Sequence, residues 1–223
     1  MEDQRAYGFQ PYELPGYLEK VQSQVPALHL LMQMGWTYLT LEETDRLRGG
    51  RLGGVILEPV LVDHIRDHCR FMFKGASQPF TENAIHSAVQ ALKGLRATGA
   101  AHQNEQAYDL LCLGTSVPQT IEGDTKSFII DYIDWKNPAN NAFHCTAEFR
   151  VERVGFQKHC TPDIVLFING ISLVVIASKR PDFPHSKQDP VDLAIGELAD
   201  YQAREGIPQL FLFSPPTSPG SKS

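Results

Sequence analysis

No stretch of the chain reaches the ~20 consecutive apolar residues that a membrane span requires. Its opening, MEDQRAYGFQPYELPGYLEK, is polar and lacks the apolar centre of a secretory signal. Cysteine is scarce. Cys69, Cys112, Cys145 and Cys160 show no CxxC spacing and no dense framework, which excludes a disulfide-stapled scaffold and makes a reducing cytoplasm the expected setting. There is no GxxxxGK[ST], so no ATP site is expected in these residues. Basic charge is not in excess. Twenty Lys+Arg against 26 Asp+Glu leave −6, which excludes a histone-like binder but not a local basic stripe. Internal repeats are absent too. What remains is an ordinary globular composition, 42% hydrophobic over 223 residues, enough to bury a core without staples.

The first half reads as helical. Residues 1–22, with Pro11 and Pro15, read as a surface arm. Residues 23–214 read as one domain, and 215–223, PPTSPGSKS, as a flexible tail. Pro26 opens a helix with Leu28, Leu31 and Met34 at helical spacing, and Gly35 stops it. LEETDRLRGGRLGG (41–54) predicts a charged helical turn and a Gly-rich break. Residues 55–70 predict a helix with Ile56, Val60 and Ile65 near one face. Thr81 caps a helix over 82–95 carrying Ile85, Val89 and Leu92. A further helix is expected over 104–112, ended by Gly114.

After residue 125 the texture turns to aromatic and β-branched runs. Strands are expected at 127–135, 143–154, 163–168, 172–177 and 210–213. One helix at about 189–205 interrupts them, with Ala194, Ile195, Leu198 and Tyr201 on one side. The fold class is mixed α/β, a central mixed sheet flanked by helices. Within it, TPDIVLFINGISLVVIASKRP (161–181) is the most informative segment. Two apolar strands flank Asn169-Gly170, a strong hairpin signal. Asp163 opens the first strand and Lys179 follows the second. Charges beside two buried strands call for a reason.

These residues resemble the nuclease domain at the N-terminus of the type I restriction enzyme R (HsdR) subunit, a PD-(D/E)xK family. The likeness runs through VPALHLLMQMGWTYLT (25–40), RGGRLGGVILEPVL (48–61), YDLLCLGTSV (108–117), FIIDYIDWKNPANNAFHCTAEFRVER (128–153), the hairpin, and DYQAREGIPQLFLFS (200–214). The resemblance implies metal-dependent cleavage of double-stranded DNA, alongside methylation and specificity subunits and an ATP-driven motor carried elsewhere. Asp163 would match the metal-binding aspartate, holding Mg²⁺ or Mn²⁺, and Lys179 the lysine that serves the attacking water.

Two positions depart from the family pattern. The glutamate of ExK is Ala177, which cannot bind metal, so weak metal binding and little or no cleavage are expected. In the following helix Gln-x-x-x-Tyr becomes Glu197 to Tyr201, four apart and therefore on one face. Glu197 could supply the lost carboxylate, or both changes could mark a domain that no longer cuts. A deliberate Glu-to-Ala change would give the same string. The rival reading is a non-catalytic module that docks on DNA or on the other subunits. Convergence of 163, 177 and 179 has a geometric requirement. An unbulged two-residue loop would put 163 opposite 176, so a one-residue bulge or a three-residue loop is expected.

Other residues are weighed in the same way. Glu58 could add a metal carboxylate, or be an exposed helix glutamate. Lys179-Arg180 adjoin the expected cleft and would touch DNA phosphates, and Arg46, Arg48 and Arg51, set among glycines, could do the same or lie on a solvated loop. His68-Cys69, His144-Cys145 and His159-Cys160 raise zinc, but strand neighbours face apart and ligand spacing is missing. His64 and His68, four apart on a helix, are expected on a solvated face.

Overall fold

A computed structural model describes residues 23–95, 100–156, 158–179, 189–203 and 205–214. The expected arm, the tail and Arg180 lie outside them. The class is the expected mixed α/β, with six helices among the described residues around a mixed four-stranded sheet. Helix α1 (Val25–Gln33) begins with proline in its first turn and ends before Gly35, whose φ of 94° only glycine adopts readily. Strand β1 (Thr37–Tyr38) leads to α2 (Leu41–Leu47). Thr40 starts that helix with a reciprocal box: its Oγ1 accepts from Glu43 N at 3.2 Å, and Glu43 Oε2 accepts from Thr40 N at 2.8 Å. The Gly-rich break follows as expected.

Helix α3 (Glu58–His68) starts later than 55, since Pro59 suits only a first turn. Its inward residues are Leu61, His64 and Ile65, so Ile56 and Val60 do not define its buried face. Strands β2 (Arg70–Phe73) and β3 (Ala76–Pro79) form a hairpin before α4 (Glu82–Lys93), whose Thr81 cap and Ile85, Val89, Leu92 stripe are as read. Helix α5 (Ala100–Leu113) precedes a second hairpin, β4 (Thr115–Ile121) with β5 (Asp124–Ile130). Thus the expected strand 127–135 starts and stops earlier. Phe71, Phe80 and Phe128 stack at centroid distances of 4.9 and 4.2 Å and anchor both hairpins to α3 and α4.

The four-stranded sheet has the order β1–β6–β9–β10. Strand β6 (Phe143–Ala147) runs parallel to β1. Strand β9 (Ile164–Ile168) is antiparallel to both β6 and β10 (Ile171–Ile176). The expected strand 143–154 breaks at Glu148, where φ is 54°. Its remainder, β7 (Val151–Glu152), pairs with β8 (His159–Cys160) in a separate ribbon. One sheet face, with Cys145, Ile164 and Leu166, is covered by Leu28, Leu31 and Trp36. The other, with Val165 and Phe167, packs on Phe149, Ile207 and Leu210 and on Tyr201 of α6 (Pro190–Gln202). Ile195 of α6 is exposed, so that helix turns its Ala194, Leu198 and Tyr201 side inward without it. Residues 210–213 are not a strand. Pro208 opens a 3-10 turn (Pro208–Phe211) that seals the sheet edge.

Candidate active site

The β9–β10 hairpin sets the site. Asn169 and Gly170 have φ of 50° and 80°, so the loop is a two-residue turn with both residues left-handed. Ser172 faces Phe167, but Val174 faces Leu166, so Leu173 is an extra residue. From there Ile176 pairs with Ile164, and the same register places position 177 opposite Asp163. That is the one-residue bulge the convergence of 163, 177 and 179 requires.

The turn is fixed by its surroundings. Asn169 is fully buried. Its Oδ1 accepts from Ala142 N at 2.7 Å, and its Nδ2 donates to Tyr132 O at 2.9 Å and Asn141 Oδ1 at 2.8 Å. Beside it Leu57 N donates to Gly170 O at 2.8 Å, seating the start of α3 on the hairpin tip.

At the other end of the hairpin the predicted residues meet. Asp163 Oδ2 accepts from Ser178 N at 2.6 Å, which ties the aspartate to the strand that carries Lys179. Lys179 Nζ lies 2.7 Å from Glu197 Oε2, and Tyr201 OH donates to Glu197 Oε1 at 2.7 Å. Both members of the Lys179–Glu197 pair are about three-quarters buried. Burial, the hydrogen bond to Glu197, and the charges of Glu197 and Asp163 push the Tyr201 phenol well above its usual range. Tyr201 is therefore a proton-bearing donor at neutral pH, not a base.

Two residues with no sequence signal complete the frame. Gln24, 5% exposed, donates from Nε2 to Asp163 O at 2.7 Å, and Ser23 Oγ donates to Lys179 O at 3.1 Å. The start of α1 thus clamps both strand ends. Only a pairing across some 140 residues reveals this, and no local pattern encodes it.

A hard divalent cation needs several oxygen ligands, and Mg²⁺ gives up its waters reluctantly. Ala177 offers none at the position facing Asp163. Both Glu197 oxygens are engaged by Lys179 and Tyr201. Among the described residues no three His, Cys, Asp or Glu side chains gather as a metal site. As they stand, the residues do not fit a resident divalent ion.

Three expectations need correction, two of them for site residues. Glu58 does not join the Asp163 cluster; its carboxylate is 2.6 Å from Lys93 Nζ, linking α3 to α4. Arg48 does not face solvent. Its side chain is 1% exposed, donates to Arg150 O at 2.6 Å, pairs with Asp45, and stacks 4.5 Å over the Phe149 ring. It braces the core and cannot reach a phosphate. Nor is His64 on a solvated face; it is 5% exposed and its ring stacks on His68 at 5.3 Å. Arg51 is exposed, as a phosphate contact would need.

Comparison with known proteins identifies the family. The family model described as type I restriction enzyme R protein N terminus matches residues 16–217. Over 190 residues the chain is 25% identical to the type I restriction enzyme HindI endonuclease subunit of Haemophilus influenzae, covering 84% of this chain and 17% of that protein. It is also 25% identical, over 187 residues, to a Methanocaldococcus jannaschii protein provisionally named the type I restriction enzyme MjaVIIIP endonuclease subunit, covering 81% and 16%. The chain therefore spans about a sixth of the length of these relatives. Among the described residues no helix is long and apolar enough to cross a membrane.

Proposed function

The chain belongs to the type I restriction enzyme R protein N-terminal family, and from that membership we propose that it is the DNA-cleaving domain of such an enzyme, held in an impaired state. Its substrate is double-stranded DNA and its reaction is phosphodiester hydrolysis. Its partners are the methylation and specificity subunits of a restriction complex. The observation that carries this reading is the Leu173 bulge. It aligns Asp163, position 177 and Lys179, over which α6 lays Glu197 and Tyr201. A purely structural hairpin would have no use for an aspartate, a lysine, a glutamate and a tyrosine gathered at one partly buried end.

Impairment follows from the same residues. With alanine at 177, one of two facing carboxylates is gone, so Mg²⁺ or Mn²⁺ is held weakly. Lys179 is neutralised by Glu197 and is not poised to orient water. The test is the Ala177→Glu variant with supercoiled plasmid and Mg²⁺ or Mn²⁺. The unmodified chain should nick little or nothing, and the variant should nick measurably. Strong cleavage by the unmodified chain would overturn the impairment. Failure of the variant both to nick and to bind Mn²⁺ would overturn the nuclease reading.

The internal pairing of Lys179 with Glu197 favours one second reading, a docking module that never cuts. It predicts that Ala177→Glu gains neither metal binding nor cleavage while binding to DNA or to the partner subunits persists.

A further inference from the structure

We propose that the groove between the Gly-rich loop 48–54 and the α3–α4 pair is a track for the sugar-phosphate backbone of double-stranded DNA. The proposal rests on the nuclease-domain reading and adds to it a binding surface distinct from the Asp163 cluster.

The groove is large, about 1450 Å³. Small-ligand sites fill roughly 300–1,000 Å³ and enclose their ligand. Here the rim residues Arg46, Gly49, Gly50, Arg51 and Lys158 are all exposed, which suits a polymer passing through rather than a molecule held inside.

Charge is segregated into this groove. The chain carries −6 overall, yet the lining holds six Lys or Arg and three Asp or Glu side chains. Several of the cations are already neutralised: Arg48 by Asp45, Arg66 by Asp63 and Glu82, Lys93 by Glu58. Among the described residues Arg51 and Lys158 have no ion-pair partner. They project from a loop and a ribbon that are joined where Glu152 N donates to Leu52 O at 3.1 Å. Glu152 is the one lining carboxylate outside an ion pair among those residues, so unpaired positive charge predominates. Gly49 and Gly50 bare the backbone at the rim. A Cβ at either would meet nothing within 4 Å, so an approaching phosphate finds open space there, while both glycine amides stay bonded within the loop.

Strand β8 connects the groove wall to the segment that carries Asp163. In β8 successive side chains face apart: His159 lines the groove, and Cys160 packs in the core that holds Tyr201. From His159 to Asp163 is four residues, a reach of at most about 13 Å. That equals about four base-pair steps at ~3.4 Å each. A backbone lying along Arg51 and Lys158 would therefore pass within about four base-pair steps of Asp163.

The experiment is fluorescence anisotropy of a labelled duplex of about 30 base pairs at about 50 and 150 mM salt, where phosphate contacts are strongest and then screened. It compares the unmodified chain, Arg51→Glu/Lys158→Glu, the milder Arg51→Ala/Lys158→Ala, and a charge-matched control. The control, Lys74→Glu/Lys126→Glu, lies on the β2–β3 and β4–β5 hairpins. The groove reversal should weaken binding at least about tenfold and the alanine pair about threefold, with the salt slope falling by about 2. The control should change affinity less than about twofold. Equal losses in groove and control variants, no loss in either, or no duplex binding by the unmodified chain would overturn the track. The nuclease reading is judged separately. If Ala177→Glu nicks plasmid while the groove variants bind normally, the track falls and the reading stands. If the groove variants lose binding while Ala177→Glu stays inert, the track stands and the reading falls.

Discussion

Glu197 decides what the cluster around Asp163 can do. Its two oxygens hold Lys179 and Tyr201, both at 2.7 Å. A glutamine there keeps an acceptor for the Tyr201 hydroxyl but removes the charge facing Lys179. Glu197→Ala removes both and should lower stability by about 1–2 kcal/mol, the cost of stripping partners from half-buried polar groups. Glu197→Gln should lose about half of that or less, as read from urea unfolding. In the Ala177→Glu background, Glu197→Gln should raise plasmid nicking about tenfold, because the ammonium is no longer neutralised beside the new carboxylate. A drop in nicking together with loss of Mn²⁺ binding would instead make Glu197 a ligand. Asp163 and Lys179 were legible from the ends of one hairpin, whereas Glu197 and Tyr201 stood out only through the family resemblance, their i and i+4 spacing then placing both on one helix face. Arg48 was not. In the chain it looks like Arg51, and Phe149 and Arg150, a hundred residues later, help Asp45 turn one arginine inward while the other stays out.

Among the elements, hairpins divide what a sequence reveals from what it hides. Three two-residue turns place a non-glycine residue and then a glycine at positive φ: Lys74-Gly75, Glu122-Gly123 and Asn169-Gly170. Only the last carries the dipeptide strongly associated with such turns, since asparagine tolerates the left-handed region and lysine and glutamate do so less readily. The other two hairpins went unread for that reason. Strand β4 was further disguised by Pro118, acceptable there because its ribbon has only two strands. Leu210–Phe213 misled in the other direction, its apolar run being a buried 3-10 turn. The readable turn is also the most constrained. A Cβ on Gly170 would lie 2.4 Å from Leu57 O and 3.2 Å from Leu61 N, at a φ of 80°. Gly170→Ala should therefore cost about 2–4 kcal/mol, combining left-handed strain with a clash against backbone that cannot yield. Gly50→Ala has a similar φ of 70° but open space, and should cost only about 1 kcal/mol. Urea unfolding of the two variants measures the difference, and equal losses would mean that the start of α3 moves away freely.

For the molecule as a whole, pH sets two effects against each other. The −6 charge shrinks as acid is added, which relieves self-repulsion and favours the folded state slightly. His64 acts in the opposite direction. Burial, with the adjacent His68 charge, lowers its pKa to about 4 from an ordinary 6.5, against smaller opposing contributions from Asp134 and Asn140. Folded His64 stays neutral where the unfolded chain takes up a proton. Its stabilising contribution is therefore complete above about pH 6.5 and declines as pH falls towards 4. Burial pushes His144 down as well, which adds to the slope with the same sign. At 1.36 kcal/mol per pH unit, lowering pH from about 7.5 to 5 should remove about 2 kcal/mol through His64 alone. That exceeds what screened surface repulsion returns at physiological salt. The urea midpoint should fall over this range, and in His64→Gln the fall should shrink by more than half. A midpoint that holds or rises between pH 7.5 and 5 would mean that His64 is protonated in the folded chain, with the α3 face opening to water around it.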